Sequence, residues 1–168
     1  AALHVCDCAV VVVNATEGIE VGTTQVVEWA VENNLAKFVA LNGMDKEHVN
    51  FDTALAGIRK TLGNGVTPLT VPVNAGPGFN QVLDVLTKEV VTYETDGMGK
   101  STAAPADGDL AEQVEAMHAE LIEAVAAADD ALMEKFFEEG SLSDDELKAG
   151  LGAALLSGEL IPLFATSG

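Results

Sequence analysis

Residues 9–45 read AVVVVNATEGIEVGTTQVVEWAVENNLAKFVALNGMD, and their order decides the fold class. AVVVVN (9–14) is an unbroken β-branched run closed by a polar residue. That is the pattern of a parallel strand covered on both faces, so it predicts a central strand. In TTQVVEWAVENN, Val26, Val27, Ala30 and Val31 share one stripe at helical spacing. AKFVALN (36–42) reads as the next strand. DKEHVNFDTALAGIRKTLGNG then places Phe51, Leu55, Ile58 and Leu62 at steps of four, three and four and ends on Gly63 and Gly65, predicting a second helix. Strand, helix, strand, helix is the unit of an open α/β sheet, whose ligands bind beyond the carboxyl ends of its strands. The loop after strand 36–42 is therefore the first place to look for a site.

Working outward, the pattern changes at residue 66. VTPLTVPVN is short, alternating and marked by proline, and KEVVTYET (88–95) is another β-rich run, so residues 66–95 predict an antiparallel insertion with a short helix at GFNQVLDVLT. DGMGKSTAAPADGD (96–109) is dense in Gly, Ser, Ala, Asp and Pro and reads as a flexible loop. Leu110, Val114, Met117, Leu121, Val125, Ala128, Leu132 and Phe136 then recur at steps of three or four, which predicts one long helix with acids on its other faces. Ser143 followed by Asp144, Asp145 and Glu146 fits a capping box opening a shorter helix through Leu147, Leu151 and Leu155 to Gly158. ELIPLFATSG (159–168) closes as a last sheet strand. The expected organisation is an α/β core over 1–65, an insertion over 66–158, and a return to the core over 159–168.

A chain of 168 residues with 48% hydrophobic content has enough apolar side chains to bury a core as one domain, or one domain with an insertion. Its formal net charge of −19 argues against a nucleic-acid groove, because phosphate contacts need clustered Lys and Arg. Residues 1–95 carry 11 acids against 5 bases and residues 96–168 carry 16 against 3, so the carboxyl-terminal part is the more acidic. The run VCDCAVVVV is interrupted by Asp7 and stops at Asn14, short of the ~18 residues of a membrane span, so a soluble chain is expected. Cys6 and Cys8 stand two apart on a predicted strand, where parallel side chains disfavour a disulfide, and they are expected to be buried thiols. His4, His48 and His118 lack zinc-ligand spacing, and no metal site is predicted.

The chemistry concentrates in Asn42-Gly43-Met44-Asp45, directly after a predicted strand. A guanine edge offers N1–H and N2–H₂ donors, which one carboxylate accepts as paired, charge-assisted hydrogen bonds, while an amide serves N7 or holds the loop. By themselves Asn and Asp also shape turns after strands. The flanks add to the reading. CDCAVVVVNATEGIEVGTTQVVEWA, MDKEHVNFDTALAGIRKTLGNGVTPLTVPV and the run from GFNQVLDVLT to GELIPLFATSG resemble, over essentially the whole chain, the GTP-binding region of elongation factor G-type translational GTPases.

That resemblance implies an α/β fold: a partial P-loop-GTPase-like parallel sheet carrying an inserted α+β subdomain. It matches Asn42 and Asp45 to guanine-contacting positions and Ser167 to the serine of the last guanine-loop motif, here Thr166-Ser167-Gly168. Gly43 stands where the family has a lysine that packs over the base, so weakened base affinity is expected, and the parent is expected to be a main factor or a divergent paralogue. Asn14 stands where Asp is common, and Gly168 where alanine is usual. The phosphate loop, first-switch threonine and DxPGH element are expected to precede residue 1. GTP or GDP with Mg²⁺ is thus implied for the parent, with no cofactor and no hydrolysis expected of this segment alone.

Gly99-Lys100-Ser101-Thr102 mimics the end of a phosphate loop, but Glu94 occupies the first glycine position and Pro105 follows closely, so it reads as linker. The resemblance further implies a cytoplasmic, ribosome-associated parent whose inserted helices meet the large-subunit stalk protein. Met133, Phe136 and Phe137 among neighbouring acids are the candidate contact, although the same residues suit a core and the acids suit a solvated face. The other function considered is a non-catalytic interaction module built on those acidic helices. An open sheet edge would also let the chain self-associate.

Overall fold

The computed structural model describes residues 5–95 and 98–167. His4, Gly168 and the first two residues of the expected 96–109 loop lie outside them. Strand β1 (Cys8–Asn14), helix α1 (Val21–Glu32), strand β2 (Ala36–Asn42) and helix α2 (Phe51–Leu62) follow one another as the hydrophobic periods predict. β1 and β2 pair in parallel from Cys8 opposite Ala36 to Asn14 opposite Asn42. The last strand, β8 (Ile161–Thr166), lies on the far side of β2, with Asn42 opposite Thr166. β3 (Val66–Pro68) pairs in parallel with β8, giving the order β1-β2-β8-β3. One core gathers Val11, Val13, Val27, Val39, Leu41, Met44, Ile58 and Leu163 between this sheet and its helices.

A second sheet is antiparallel, in the order β4 (Thr70–Pro72), β5 (Gln81–Asp84), β6 (Glu89–Tyr93) and β7 (Ser101–Pro105). The peptide groups of Leu69 and the hydroxyl of Thr70 join the two sheets. Leu69 N donates to Leu163 O (2.9 Å), Leu69 O accepts from Val85 N (2.9 Å), and Ala165 N donates to the Thr70 hydroxyl (3.0 Å). Helices α3 (Gly108–Ala126), α4 (Asp130–Glu139) and α5 (Asp144–Ser157) share one core with Leu69, Val85 and Leu160 through Leu121, Val125, Leu132 and Leu147, joined by Leu142 of the α4–α5 connection. Gly150 permits the closest helix approach: a Cβ there would meet Leu132 Cδ1 at 2.5 Å and Val125 Cγ1 at 2.6 Å.

Five expectations are corrected. Residues 81–84 form a strand, because a short apolar run fits either period and two neighbouring strands are at hand to bond its backbone. The 96–109 stretch, expected as a loop, contributes β7, whose residues are exposed and gain their order from the β6 ladder. The expected single helix from 110 to 136 breaks where the Asp129 carboxylate accepts from Ala131 N (2.9 Å) and Leu132 N (3.1 Å), capping α4. β3, expected in the antiparallel insertion, belongs to the parallel sheet. β1, expected as a central strand covered on both faces, stands at the end of the sheet order among the described residues and buries only alternate residues: Val10 and Val12 are each 62% exposed, and Cys8 is an exposed free thiol, Cys6 a partly buried one.

Candidate guanine-recognition site

The parallel register brings the carboxyl ends of β1, β2 and β8 together, so Asn14, Asn42 and Thr166 stand side by side at one edge of the sheet. At Asn14 the side-chain oxygen accepts from Thr16 N (3.0 Å) and the Thr16 hydroxyl (2.8 Å), and Ala15 N donates to Asn42 O (2.8 Å). An amide oxygen thus fills the turn-holding role a carboxylate would take at that position. At Asn42 the side-chain oxygen accepts from the Thr166 hydroxyl (3.3 Å), which also reaches Leu41 O (3.4 Å).

Gly43 has φ +89°, a backbone region that L side chains rarely adopt. Its conformation lets the chain leave the strand and close a turn, with Lys46 N on Gly43 O (3.1 Å). Inside that turn Met44 is fully buried. Its N–H donates to Thr166 O (3.1 Å) and its carbonyl accepts from Gly76 N (2.7 Å), so the peptide planes before and after Met44 are each held by one bond.

Asp45 Oδ2 lies 3.5 Å from Lys46 Nζ, while Oδ1 is buried and is the unpartnered buried side-chain polar atom among the described residues. A buried carboxylate oxygen without a donor costs free energy. A hydrogen bond from the Ser167 hydroxyl holds the Asp45 carboxyl below its ordinary pKa, against the opposing effect of burial, with its own backbone and Lys46 adding to the lowering. The group is an ionised, part-exposed acceptor, of the chemistry that pairs with adjacent N–H donors such as the N1–H and N2–H₂ edge of guanine.

The structure therefore brings Asn42, Asp45 and Ser167 into one neighbourhood. Sequence reasoning missed Thr166 and Gly76 as the groups that hold this neighbourhood, since their partners are more than 30 residues away along the chain. The candidate contact on α4 lies elsewhere: Met133 and Phe136 are partly buried against the helical core, whereas Phe137 is 78% exposed with its ring centroid 6.3 Å from that of Phe136. Gly99-Lys100-Ser101-Thr102 runs into β7 and opens no helix, so it lacks the amide cluster of a phosphate loop. Among the described residues, no group of three or more His, Cys, Asp or Glu could hold a metal ion, and no helix is long and apolar enough to cross a membrane. The Asp45 carboxylate has the acceptor chemistry that a guanine edge needs; among the described residues no carboxylate cluster stands ready for Mg²⁺, and residues 99–102 present no helix N-terminus to phosphates.

The fold is similar to the crystal structure of ttk003000868 from Thermus thermophilus, with a TM-score of 0.87 and 27% identity over 99% of this chain. The chain spans 24% of the length of that protein. The family described as elongation factor Tu GTP binding domain matches residues 1–168. The chain belongs to this GTP-binding domain family, and in it the parallel sheet carries an antiparallel sheet and three helices.

Proposed function

We propose that this segment supplies the guanine-base half of the nucleotide site, with Asp45 receiving the N1–H and N2–H₂ edge, Asn42 ordering the loop, and Ser167 completing it beside the base. The observation that carries the reading is the part-exposed Asp45 carboxylate, kept ionised beside Ser167 at the carboxyl ends of β2 and β8. In the parent, GTP binding and hydrolysis with Mg²⁺ would drive a ribosomal step in the cytoplasm. The 168-residue segment alone is expected not to hydrolyse GTP, because among the described residues no phosphate-loop amides stabilise the transferring phosphoryl charge.

Gly43 weakens the base site. A Cβ there would meet Lys46 Cγ at 3.5 Å and Asn14 Oδ1 at 3.8 Å, ordinary contacts, at a backbone cost of about 1 kcal/mol. Calorimetric titration of GDP and GTP into the segment is expected to register no heat. Amide chemical shifts detect weaker binding, and GDP is expected to move the signals of residues 42–45 and 167 where ADP does not. Equal responses to GDP and ADP, or none to either, would overturn the base-site assignment.

A second reading concerns the inserted helices, which we propose as a docking face for the ribosomal stalk protein. Phe137 is exposed on α4 with Glu134, Glu138 and Glu139 on the same short helix, the combination of an apolar anchor and an acidic rim. Pull-down with the stalk protein's carboxyl-terminal domain is expected to retain the segment and to lose it with Phe137→Ala. Retention of that variant at full strength would leave α4 as solvated surface.

A further inference from the structure

The loop between β4 and β5, residues 74–80 (NAGPGFN), is tied by one side chain. Asn74 Nδ2 donates to Gly78 O (3.0 Å) and Asn80 Oδ1 (3.1 Å), and Asn74 Oδ1 accepts from Asn80 N (3.3 Å) and Gln81 N (3.0 Å). Asn80 in turn exchanges backbone and side-chain bonds with Tyr93 on β6: Tyr93 N to Asn80 O (2.8 Å) and Asn80 Nδ2 to Tyr93 O (3.4 Å). Phe79 N closes an inner turn on Gly76 O (2.9 Å), and the Phe79 ring packs against the parallel-sheet core. Gly76 and Gly78, with φ +104° and +88°, adopt the conformations this folding requires.

The product of this wiring is the single donor Gly76 N–H aimed at Met44 O. A peptide plane moves as a unit, so fixing the Met44 carbonyl fixes the orientation of the Asp45 N–H and the path of its Cα. Thr166 O fixes the preceding plane through Met44 N. One restraint comes from the parallel sheet, the other from the antiparallel one.

We infer that loop 74–80 is a positioning element for the guanine-recognition loop: Asn74 shapes it, and Gly76 uses it to set where Asp45 stands. The functional consequence, that the inserted sheet tunes base affinity, rests on the reading of Asp45 as the guanine acceptor; the brace itself does not. Asn74 and Gly76 touch no base and act through Met44.

Amide hydrogen exchange on the 168-residue chain tests the brace without any nucleotide. In Asn74→Ala, exchange at Gly76 and Met44 is expected to quicken about tenfold, the scale of one lost hydrogen bond, while Val39 and Leu163 in the parallel ladder keep their rates. Unchanged rates at Gly76 and Met44 would overturn the inference. Should Asn74→Ala raise exchange everywhere, Gly76→Ala carries the test, since it strains only the φ +104° position and leaves the Asn74 bonds in place; unchanged Met44 exchange there would also overturn it. Titration with GDP separates the two claims. Local loosening that abolishes the GDP-induced shift at Asp45 supports both, and local loosening in a chain that never responds to GDP keeps the brace and removes the base site.

Discussion

At Asp45 the carboxylate is kept ionised and one oxygen is kept dry and unpaired. A fold that selected only for stability would fill that oxygen or replace it, so truncation separates the two demands. Asp45→Ala is expected to leave the thermal midpoint unchanged or slightly higher, while abolishing GDP-induced shifts at residues 42–45. Asp45→Asn presents a donor in place of an acceptor and is expected to turn the preference from GDP to xanthosine diphosphate, by a factor of about 10–100, the scale of one charge-assisted hydrogen bond. Parallel titrations with both nucleotides read that ratio, and an unchanged ratio would remove Asp45 from the base edge. The folded pKa of Asp45 is depressed, so the charge and whatever stability it contributes persist above the ordinary carboxylate value of 3.8 and are lost only as pH falls below it. That Asn42, Asp45 and Ser167 gather at one end of the sheet was legible from their places after strands and from the family resemblance. Thr166, Asn74 and Gly76 were not, since a backbone or hydroxyl bond to a distant loop leaves no periodic or compositional trace.

Among elements, those with a sustained period were readable and those ordered by a neighbour were not. β1, α1, β2, α2 and α5 each carry their own pattern, whereas β5 and β7 become strands through the ladders flanking them. The start of α5 shows a local signal working. Glu146 Oε2 accepts from Ser143 N (3.0 Å) and the Ser143 hydroxyl (2.6 Å), and Oε1 pairs with Lys135 on α4. The Lys135 hydrogen bond first, then those from Ser143, lower the Glu146 carboxyl from 4.5 to about 2. A depressed pKa means the stability is complete above 4.5 and drains as pH falls toward 2, so acid is expected to loosen α4 and α5 across that window. Glu146→Gln is expected to flatten the dependence, read as helical circular dichroism against pH. β3 offers a steric counterpart: a Cβ on Gly65 would collide with Glu159 O, while Gly65 O must accept from Ile161 N (2.8 Å). Since backbone cannot swing aside as a side chain can, Gly65→Ala is expected to cost about 1–3 kcal/mol in denaturant midpoints and to weaken the β3–β8 pairing. No loss would mean the two strands slide freely.

For the molecule as a whole, surface charge and an uncovered sheet edge pull in opposite directions. β1 has no strand on its outer side among the described residues, and its outward Val10 and Val12 lie open, with Val21, Trp29 and Val31 of α1 exposed as well. Unpaired backbone groups beside apolar side chains invite strand pairing between copies. Against this stands a net charge of −19, whose repulsion opposes association over a Debye length of about 10 Å at 0.1 M salt. Salt screens the repulsion and leaves the apolar attraction intact, so sedimentation is expected to show monomer at low ionic strength and concentration-dependent dimer as salt rises. Val12→Glu places a charge on the bare face without touching the buried Val11 and Val13, and is expected to hold the chain monomeric at every salt concentration. A wild-type chain that stays monomeric in high salt, or a variant that dimerises like it, would show that the β1 edge does not govern association.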